Sequence, residues 1–450
     1  MTKFERPRGT RDFGPAEMAE RRWLEGVFRE TFRRWGYREI QTPTFEHTAL
    51  FEAKSGPNVV NEIYAFKDKG DRDICLRPEL TAPVMRYYVN ELTHEPKPLK
   101  LYYYGPCFRY EEPQEGRYRE FWQFGLELLG PEGPEADAEV IAVAWRALRD
   151  AGLRKFILHV GHIGVLRSLM GALDASEQAK GAIYRAIDKD DPALPDLLEG
   201  TRAPPSLQSA ILGVARHQRL VKPGEAAAVD AYFAKARDAV EAAISQKVLA
   251  PEAAQRVEKA LADLRATVDL LAAHGVEEVD LDLGVARGLD YYTGMVFELE
   301  APDLGAQKQI GGGGAYTLAE LFGGEHVGSA GFGLGFDRIL LALKKEGAVP
   351  APAPVAQVYV ATLGAGAKAA ALRTAAQIRA AGASVEVDTM GRSLSKSLQH
   401  AAKLGARVVL IAGEKDLAQG NLTLRDMASG EQAAVPMAAA ADEVLKRLGL

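Results

Sequence analysis

Charged and hydroxyl side chains interrupt three stretches of this sequence that otherwise read as buried. A sheet interior resists charge unless a ligand or partner compensates it, so each interruption marks a candidate site. In Leu76 to Pro83, LRPELTAP, Glu79 could receive an ammonium group as its countercharge and Thr81 as a hydroxyl acceptor. The same residues fit a plain helix start, with Thr81 capping and Pro83 in the first turn. In Tyr104 to Leu129, YGPCFRYEEPQEGRYREFWQFGLELL, a charged loop carrying Arg109, Glu111 and Arg117 joins two strand-like runs. Alternation puts Phe121, Gln123, Gly125 and Glu127 on one face of the second run. That face offers an aromatic plate, an amide, an open floor and a carboxylate. An aromatic with a nearby arginine suits a purine triphosphate, by stacking on the base and charge on the phosphates. A water-exposed hairpin is the simpler account, but it strands Gln123 and Glu127 amid Phe, Trp and Leu. In Ala286 to Phe297, ARGLDYYTGMVF, an arginine and two tyrosines in apolar company can bind a carboxylate and a flat heteroaromatic ring. Gly311 to Gly314 lets backbone approach a ligand closely, although four glycines in a row equally describe a flexible turn. Arg338, inside the apolar run GFGLGFDRIL, requires an anion: a phosphate or a structural carboxylate.

The elements needed to hold these residues can be read from periodicity. Residues 17–35 predict an amphipathic helix, with Trp23, Val27, Phe28, Phe32 and Trp35 at helical spacing and Gly36 as its stop. Strands are expected at Tyr37 to Pro43, Ile63 to Phe66, Ile74 to Leu76, Leu99 to Phe108 and Glu120 to Leu129, and helices at Pro83 to Glu91 and Asp137 to Ala151. This order predicts an antiparallel sheet flanked by helices, an α+β fold. Residues 162–272 are rich in Ala, Leu, Glu, Lys and Gln and read as a helical insertion broken near Pro192, Pro195, Pro204, Pro205 and Pro223. Strand signals return at Val279 to Leu283 and Met295 to Leu299. The Pro-Ala alternation within KKEGAVPAPAPVAQ then marks a linker. Beyond it, strands at Val358 to Thr362, Ser384 to Val387 and Val408 to Ala412 alternate with helices at Lys368 to Ala381 and Ser395 to Leu404, which predicts a parallel or mixed α/β domain.

Composition bounds the function. The chain has 450 residues, 47% hydrophobic and 26% charged, too long for one ordinary core and typical of a globular protein. No apolar window is long enough to span a bilayer, and no apolar run follows the basic start, so a cytoplasmic address and no membrane contact are expected. Cys75 and Cys107 are too few for a disulfide framework or a protein metal cluster, and no metal site is expected from them. The net charge of −6 announces no polyanion partner, whereas residues 355–450 hold 11 Lys or Arg against 8 Asp or Glu, a local +3. Two further arginine groups, Arg6, Arg8 and Arg11 and then Arg29, Arg33, Arg34 and Arg38, are charge runs of the kind that usually form a solvated helix face, the reading taken for the second group.

The three stretches together resemble class II aminoacyl-tRNA synthetases, and specifically the histidyl-tRNA synthetase family. YREIQTPTFE is similar to that class's first motif, with Pro43 at a dimer interface. FRYEEPQEGRYREFWQFGLELLG is similar to the second and GFGLGFDRILL to the third. ARGLDYYTGMVFE matches the histidine-specific signature, and GGGGAYTLAELFGG its glycine-rich companion. The resemblance covers nearly the whole chain. It implies a catalytic core in two parts, residues 1–161 and 273–347, a helical insertion at 162–272, a linker at 348–354 and an anticodon-binding α/β domain at 355–450.

The resemblance also implies a ligase that activates L-histidine with ATP and Mg2+ and charges tRNA(His) as a homodimer. In it, Arg109 holds the α-phosphate, Glu111 reads the adenine edge, Phe121 stacks beneath it, and Arg117 and Arg338 grip the outer phosphates. Glu79, Thr81 and Gln123 hold the α-ammonium. Glu127 and Tyr292 bind the imidazole, Tyr291 and Tyr316 shape its walls, and Arg287 is the catalytic arginine. Two departures stand out. The companion motif has Ala315 and Thr317 where family members often carry Arg and Asp. The loop of the second motif carries Glu112 and Glu115 where many carry basic residues. The competing expectation is a non-catalytic paralogue, either a regulatory subunit of ATP phosphoribosyltransferase or a tRNA-sensing pseudo-synthetase.

Overall fold

Gly14 caps and Pro15 opens the first helix, α1 (Pro15–Arg34), whose Leu24, Phe28 and Phe32 recur every fourth residue and are fully buried. A computed structural model describes residues 4–285, 292–351 and 353–450 of the chain. The described residues divide into two units, Met1–Pro350 and Ala351–Leu450.

In the first unit, strands β1 (Arg38–Glu39), β2 (Phe45–His47), β3 (Tyr64–Lys67) and β4 (Asp73–Leu76) follow α1, with α2 (Thr48–Ser55) between β2 and β3. Next come α3 (Thr81–Tyr87), β5 (Leu99–Phe108), β6 (Glu120–Gly130), α4 (Pro134–Asp150) and β7 (Ile157–His162). The largely helical segment holds α5 (Ile163–Gly171), α6 (Glu177–Asp188), α7 (Leu194–Gly200), α8 (Pro205–Ala215), β8 (Gln218–Val221), α9 (Ala226–Ser245) and α10 (Pro251–Ala273). β9 (Val279–Asp282), β10 (Tyr292–Glu300), β11 (Gln309–Tyr316), β12 (Gly328–Gly335) and α11 (Phe336–Glu346) complete the unit.

Nine strands form one sheet in the order β1-β5-β6-β12-β11-β10-β7-β9-β8, antiparallel from β5 to β7. One face is sealed by α1 and α4. Phe28 and Phe32 meet Phe124 of β6 at 5.3 and 5.8 Å, and Phe32 meets Phe332 of β12 at 5.9 Å. Because β side chains alternate, sealing Phe124, Leu126 and Leu128 on that face turns Phe121, Gln123, Gly125 and Glu127 to the other.

Three local expectations change. Tyr37 to Pro43 is a strand only at Arg38–Glu39. Pro43 has no N–H for a ladder, and the buried Arg77 guanidinium takes the carbonyls of Thr42 and Pro43 instead, at 2.8 and 3.1 Å. The glycine run is a central strand, not a turn. β11 pairs with β10 and β12, and a Cβ at Gly312 would sit 2.8 Å from the Phe297 carbonyl, so only glycine allows this approach. The insertion contributes β8, which pairs with β9 and extends the main sheet. Its strand character comes from the edge that β9 presents, not from composition.

α4 carries an ionisable group into this core. Asp137 is 4% exposed, and its Oδ1 has no hydrogen-bond partner among the described residues. Burial pushes its carboxyl up to about 8, with Asp263 adding to the rise and Lys259 opposing it. The helix N-terminus favours the anion by only about 1 kcal/mol, so burial wins. A raised carboxyl pKa means the unfolded chain releases its proton first. Stability is therefore fully present below about pH 4 and is lost as pH rises toward 8. Asp137→Asn is expected to melt a few degrees above the parent chain at pH 8, with the gap closing toward pH 4. Thermal melts across that range check this, and a gap that does not vary with pH would contradict it.

The second unit contains β13 (Val358–Leu363), α12 (Lys368–Ala380), β14 (Val385–Val387), α13 (Leu394–Leu404), β15 (Val408–Gly413), α14 (Glu414–Ala418), β16 (Asn421–Asp426), β17 (Gln432–Pro436) and α15 (Ala440–Leu448). Its sheet order is β14-β13-β15-β16-β17, parallel through β15 and antiparallel beyond, a mixed α/β unit. The last hairpin and helix follow Gly413, and sequence reading missed them, although Ala440, Val444 and Leu448 recur at helical spacing and are buried.

Candidate active site

Glycines open the free face of the sheet. A Cβ at Gly125 would overlap the Tyr103 ring, one at Gly331 the Glu127 carboxylate, and one at Gly333 the Gln123 amide. Each missing side chain makes room for a polar group from a neighbouring strand. Above this floor lies a cavity of about 360 Å³.

Of the described residues given a catalytic or ligand-binding role from the sequence, all but Glu127 line that cavity. Gln123 and Phe121 come from β6, Tyr292 and Tyr316 from paired positions on β10 and β11, and Arg338 from the first turn of α11. Glu79 and Thr81 lie at the start of α3. The helix start is as expected, with Pro83 in its first turn, but the cap is Glu79 and not Thr81: the Glu79 carboxylate accepts the Thr81 and Ala82 amides at 2.7 and 3.0 Å.

The cationic side has distinct parts. Arg109 donates to the Pro78 carbonyl at 3.0 Å and lies 5.1 Å over the Phe121 ring. Arg338 donates to the Gly116 and Gln309 carbonyls at 2.8 Å each and to Gln307 at 2.9 Å. Burial, then the charges of Arg117 and Arg109, lower the Arg338 pKa. A crowd of cations, two of them part-buried and anchored on carbonyl oxygens, attracts an anion. Arg117 is ion-paired with Glu111. Burial alone would raise the Glu111 carboxyl, but the Arg117 hydrogen bond and the neighbouring arginine charges hold it below the usual range.

Glu127 differs from its expected place. It is 0% exposed and does not face the open cavity. Tyr103 donates to its Oε1 at 2.9 Å, and Tyr316 donates to Oε2. Burial raises the carboxyl to about 7 against the lowering effect of the Tyr316 and Tyr103 hydroxyls. It reaches the cavity through Tyr316.

Arg287 and Tyr291 lie outside the described residues. Sequence reasoning missed Lys54. It lines the cavity from α2 with 7% of its side chain exposed, and its Nζ lies 3.3 Å from Glu79 Oε2. Nothing in FEAKSG marks it, since its partner lies on another element. It also missed Asp337, which binds three groups around Arg338. Among the described residues no His, Cys, Asp and Glu group has metal-binding geometry. Both cysteines are buried and free, and burial pushes Cys75 up to about 11, so it is no nucleophile. No helix among the described residues is long and apolar enough to cross a membrane.

Known proteins match this chain over nearly its whole length. A family model described as histidyl-tRNA synthetase matches residues 9–339, and one described as an anticodon binding domain matches 357–447. The chain is 44% identical over 430 residues to a histidine–tRNA ligase of Methanosarcina acetivorans, covering 95% of each. It is 40% identical over 455 residues to one of Thermococcus kodakarensis, covering 100% of each. The crystal structure of a histidyl-tRNA synthetase from Nostoc sp. PCC 7120 superposes with TM-score 0.78 at 26% identity, covering 99% of this chain and 100% of that one.

Proposed function

The chain belongs to the histidyl-tRNA synthetase family, and we propose from that premise how its residues perform the reaction. It is a catalytic histidine–tRNA ligase, which sets aside the non-catalytic alternative. A histidine carboxylate oxygen attacks the α-phosphorus of ATP, the bond to the leaving pyrophosphate breaks, and histidyl-adenylate forms. A terminal ribose hydroxyl of tRNA(His) then attacks the acyl carbon and AMP leaves.

One observation carries the residue assignment. A single cavity joins a capped carboxylate at Glu79, carbonyl-anchored guanidiniums at Arg109 and Arg338, and the Tyr316 hydroxyl held by buried Glu127. The α-ammonium sits against Glu79, Thr81 and Gln123, sharing Glu79 with Lys54. Adenine stacks on Phe121, and its edge meets Glu111. ATP enters with Mg2+; Arg109 takes the α-phosphate, and Arg338 with Arg117 takes the outer ones. For Arg117 this requires the Glu111 pair to open or be shared. The imidazole lies between Tyr292 and Tyr316, with Tyr291 beside it and Glu127 setting the Tyr316 hydroxyl. Arg287 supplies transition-state charge.

Residues 1–161 and 273–347 serve as the catalytic core, 162–272 as an insertion sharing its sheet, 348–354 as a linker and 355–450 as the tRNA anticodon-binding domain, whose local +3 suits a polyanion. A homodimer is supported by the small sheet β2-β4-β3, which leaves Phe45 59% and Phe66 48% exposed on one face. The cytoplasm, where tRNA is charged, is the proposed location. The test is histidine-dependent exchange of pyrophosphate into ATP. Exchange with histidine and with no other amino acid is expected, and none with histidine would sink the assignment.

A further inference from the structure

The early arginine cluster finds a use in the fold. Residues Arg8 to Phe13 run across the β5–β6 hairpin, the element that carries Glu111, Arg117 and Phe121. The Arg119 amide donates to the Gly9 carbonyl at 2.9 Å. Gly9 has φ +83, and a Cβ there would press on the Arg119 side chain at 2.7 Å, so the crossing requires glycine. The Arg11 guanidinium lies 3.6 Å from the centroid of the Tyr118 ring, and Phe13 meets Trp122 edge-on at 5.5 Å.

These contacts converge on Asp337, which precedes Arg338 in α11. Asp337 Oδ1 accepts from Arg11 and from Arg21 of α1, each at 2.6 Å, and its Oδ2 accepts the Trp122 amide at 2.8 Å. The Asp337 side chain is 5% exposed and that of Arg21 4%. Arg11 Nε and Arg21 Nη2 have no hydrogen-bond acceptor among the described residues, and the aromatic rings of Tyr118, Phe13 and Trp122 flank the two guanidiniums. One carboxylate thus ties together four pieces of chain: the N-terminal segment, α1, the start of β6 and α11. Phe121 and Gln123 flank the tethered Trp122, and Arg338 follows the tether on the other side.

We propose that Arg8 to Phe13 form a strap that positions the ATP half of the cavity, with Arg11 and Asp337 as its positioning residues. Neither touches the reacting atoms in this reading. Arg11 holds Asp337, Asp337 fixes the register between β6 and α11, and that register sets Phe121 against Arg338. Apart from Gln123 on β6, the histidine half is built on β11, β10 and α3, and none of the strap contacts named above falls on those three elements. Preorganisation of this kind acts on one ligand and spares the other. The exposed Arg8–Glu112 pair at 2.8 Å lies on the strap's outer edge and contributes little.

This inference rests on the ATP site proposed above, so the test separates the two. ATP binding is measured by equilibrium dialysis without histidine, and KM values for ATP and histidine are measured by pyrophosphate exchange. Arg11→Ala is expected to weaken ATP binding and raise the ATP KM roughly tenfold, with the histidine KM within twofold. Arg11→Lys, which keeps charge but loses the planar fork, is expected to fall between. Arg8→Ala is expected to change ATP binding less than twofold. Arg11→Ala that binds ATP as the parent does, or that shifts both KM values together, overturns the strap. So does Arg8→Ala matching Arg11→Ala. A parent chain that binds no ATP would overturn the site assignment and the strap with it. Asp337→Asn is not needed for the decision, since loss of a carboxylate serving two buried guanidiniums can unfold the chain.

Discussion

Glu127→Gln is expected to raise the histidine KM roughly a hundredfold and leave the ATP KM within twofold. The carboxylate has no solvent contact and accepts a tyrosine hydroxyl on each oxygen. Both hydroxyls are thereby committed as donors to it. An amide is isosteric but offers one acceptor and two donors. One tyrosine must turn away or leave a buried group unpaired, at about 1–3 kcal/mol. Tyr316 is the one that lines the cavity, on the imidazole side, so the loss falls on histidine and not on ATP, which meets Arg109, Phe121 and Arg338. Equal changes in both KM values, or no change in either, would refute this. The same substitution has a stability signature. The Glu127 pKa is raised to about 7 by burial, so the folded chain keeps a proton that the unfolded chain loses. Stability is fully present below about pH 4 and declines as pH rises toward 7, by up to roughly 3 kcal/mol. Glu127→Gln should remove that decline. Its melting temperature relative to the parent should rise between pH 5 and 7 and then level off.

Arg287→Ala is expected to lower kcat for histidine-dependent exchange roughly 100- to 1,000-fold, with the ATP KM changed only a few-fold. The cavity's charge pairing supports the split. Lys54 pairs with Glu79 and Arg117 with Glu111, and Asp337 serves Arg11 and Arg21. Arg109 and Arg338 hold carbonyl oxygens, which suits them to ground-state phosphate binding. Attack by one anion on another builds charge at the α-phosphoryl oxygens, and a separate guanidinium placed there stabilises the transition state more than bound ATP. A variant with parental kcat and a raised ATP KM would mean that Arg287 is only a phosphate ligand.

Much of this was legible in the chain itself, for reasons that can be located. Local rules sufficed where one residue's geometry dictates the next. The four-residue recurrence of Leu24, Phe28 and Phe32 specifies α1, and two-residue alternation from Phe121 to Glu127 specifies which β6 side chains share the pocket face. The Pro-Ala run marked the division between the two units. The signature ARGLDYYTGMVFE, in company with the second and third motifs, identified the family because side-chain chemistry at the site tolerates few alternatives. Tertiary structure decided what depends on partners far along the chain. Gly311 to Gly314 reads as a turn until β10 and β12 approach too closely for any Cβ. Gln218 to Val221 becomes a strand because β9 offers it an edge. Lys54 finds Glu79 and Arg11 finds Asp337 only once the fold has placed them within a few ångströms. Glu127 is sealed behind Tyr316 because Tyr103 and Tyr316 converge on it from β5 and β11. Periodicity reports which face a side chain takes. Which group meets it there is set by strand order and register, and these come from packing the whole sheet.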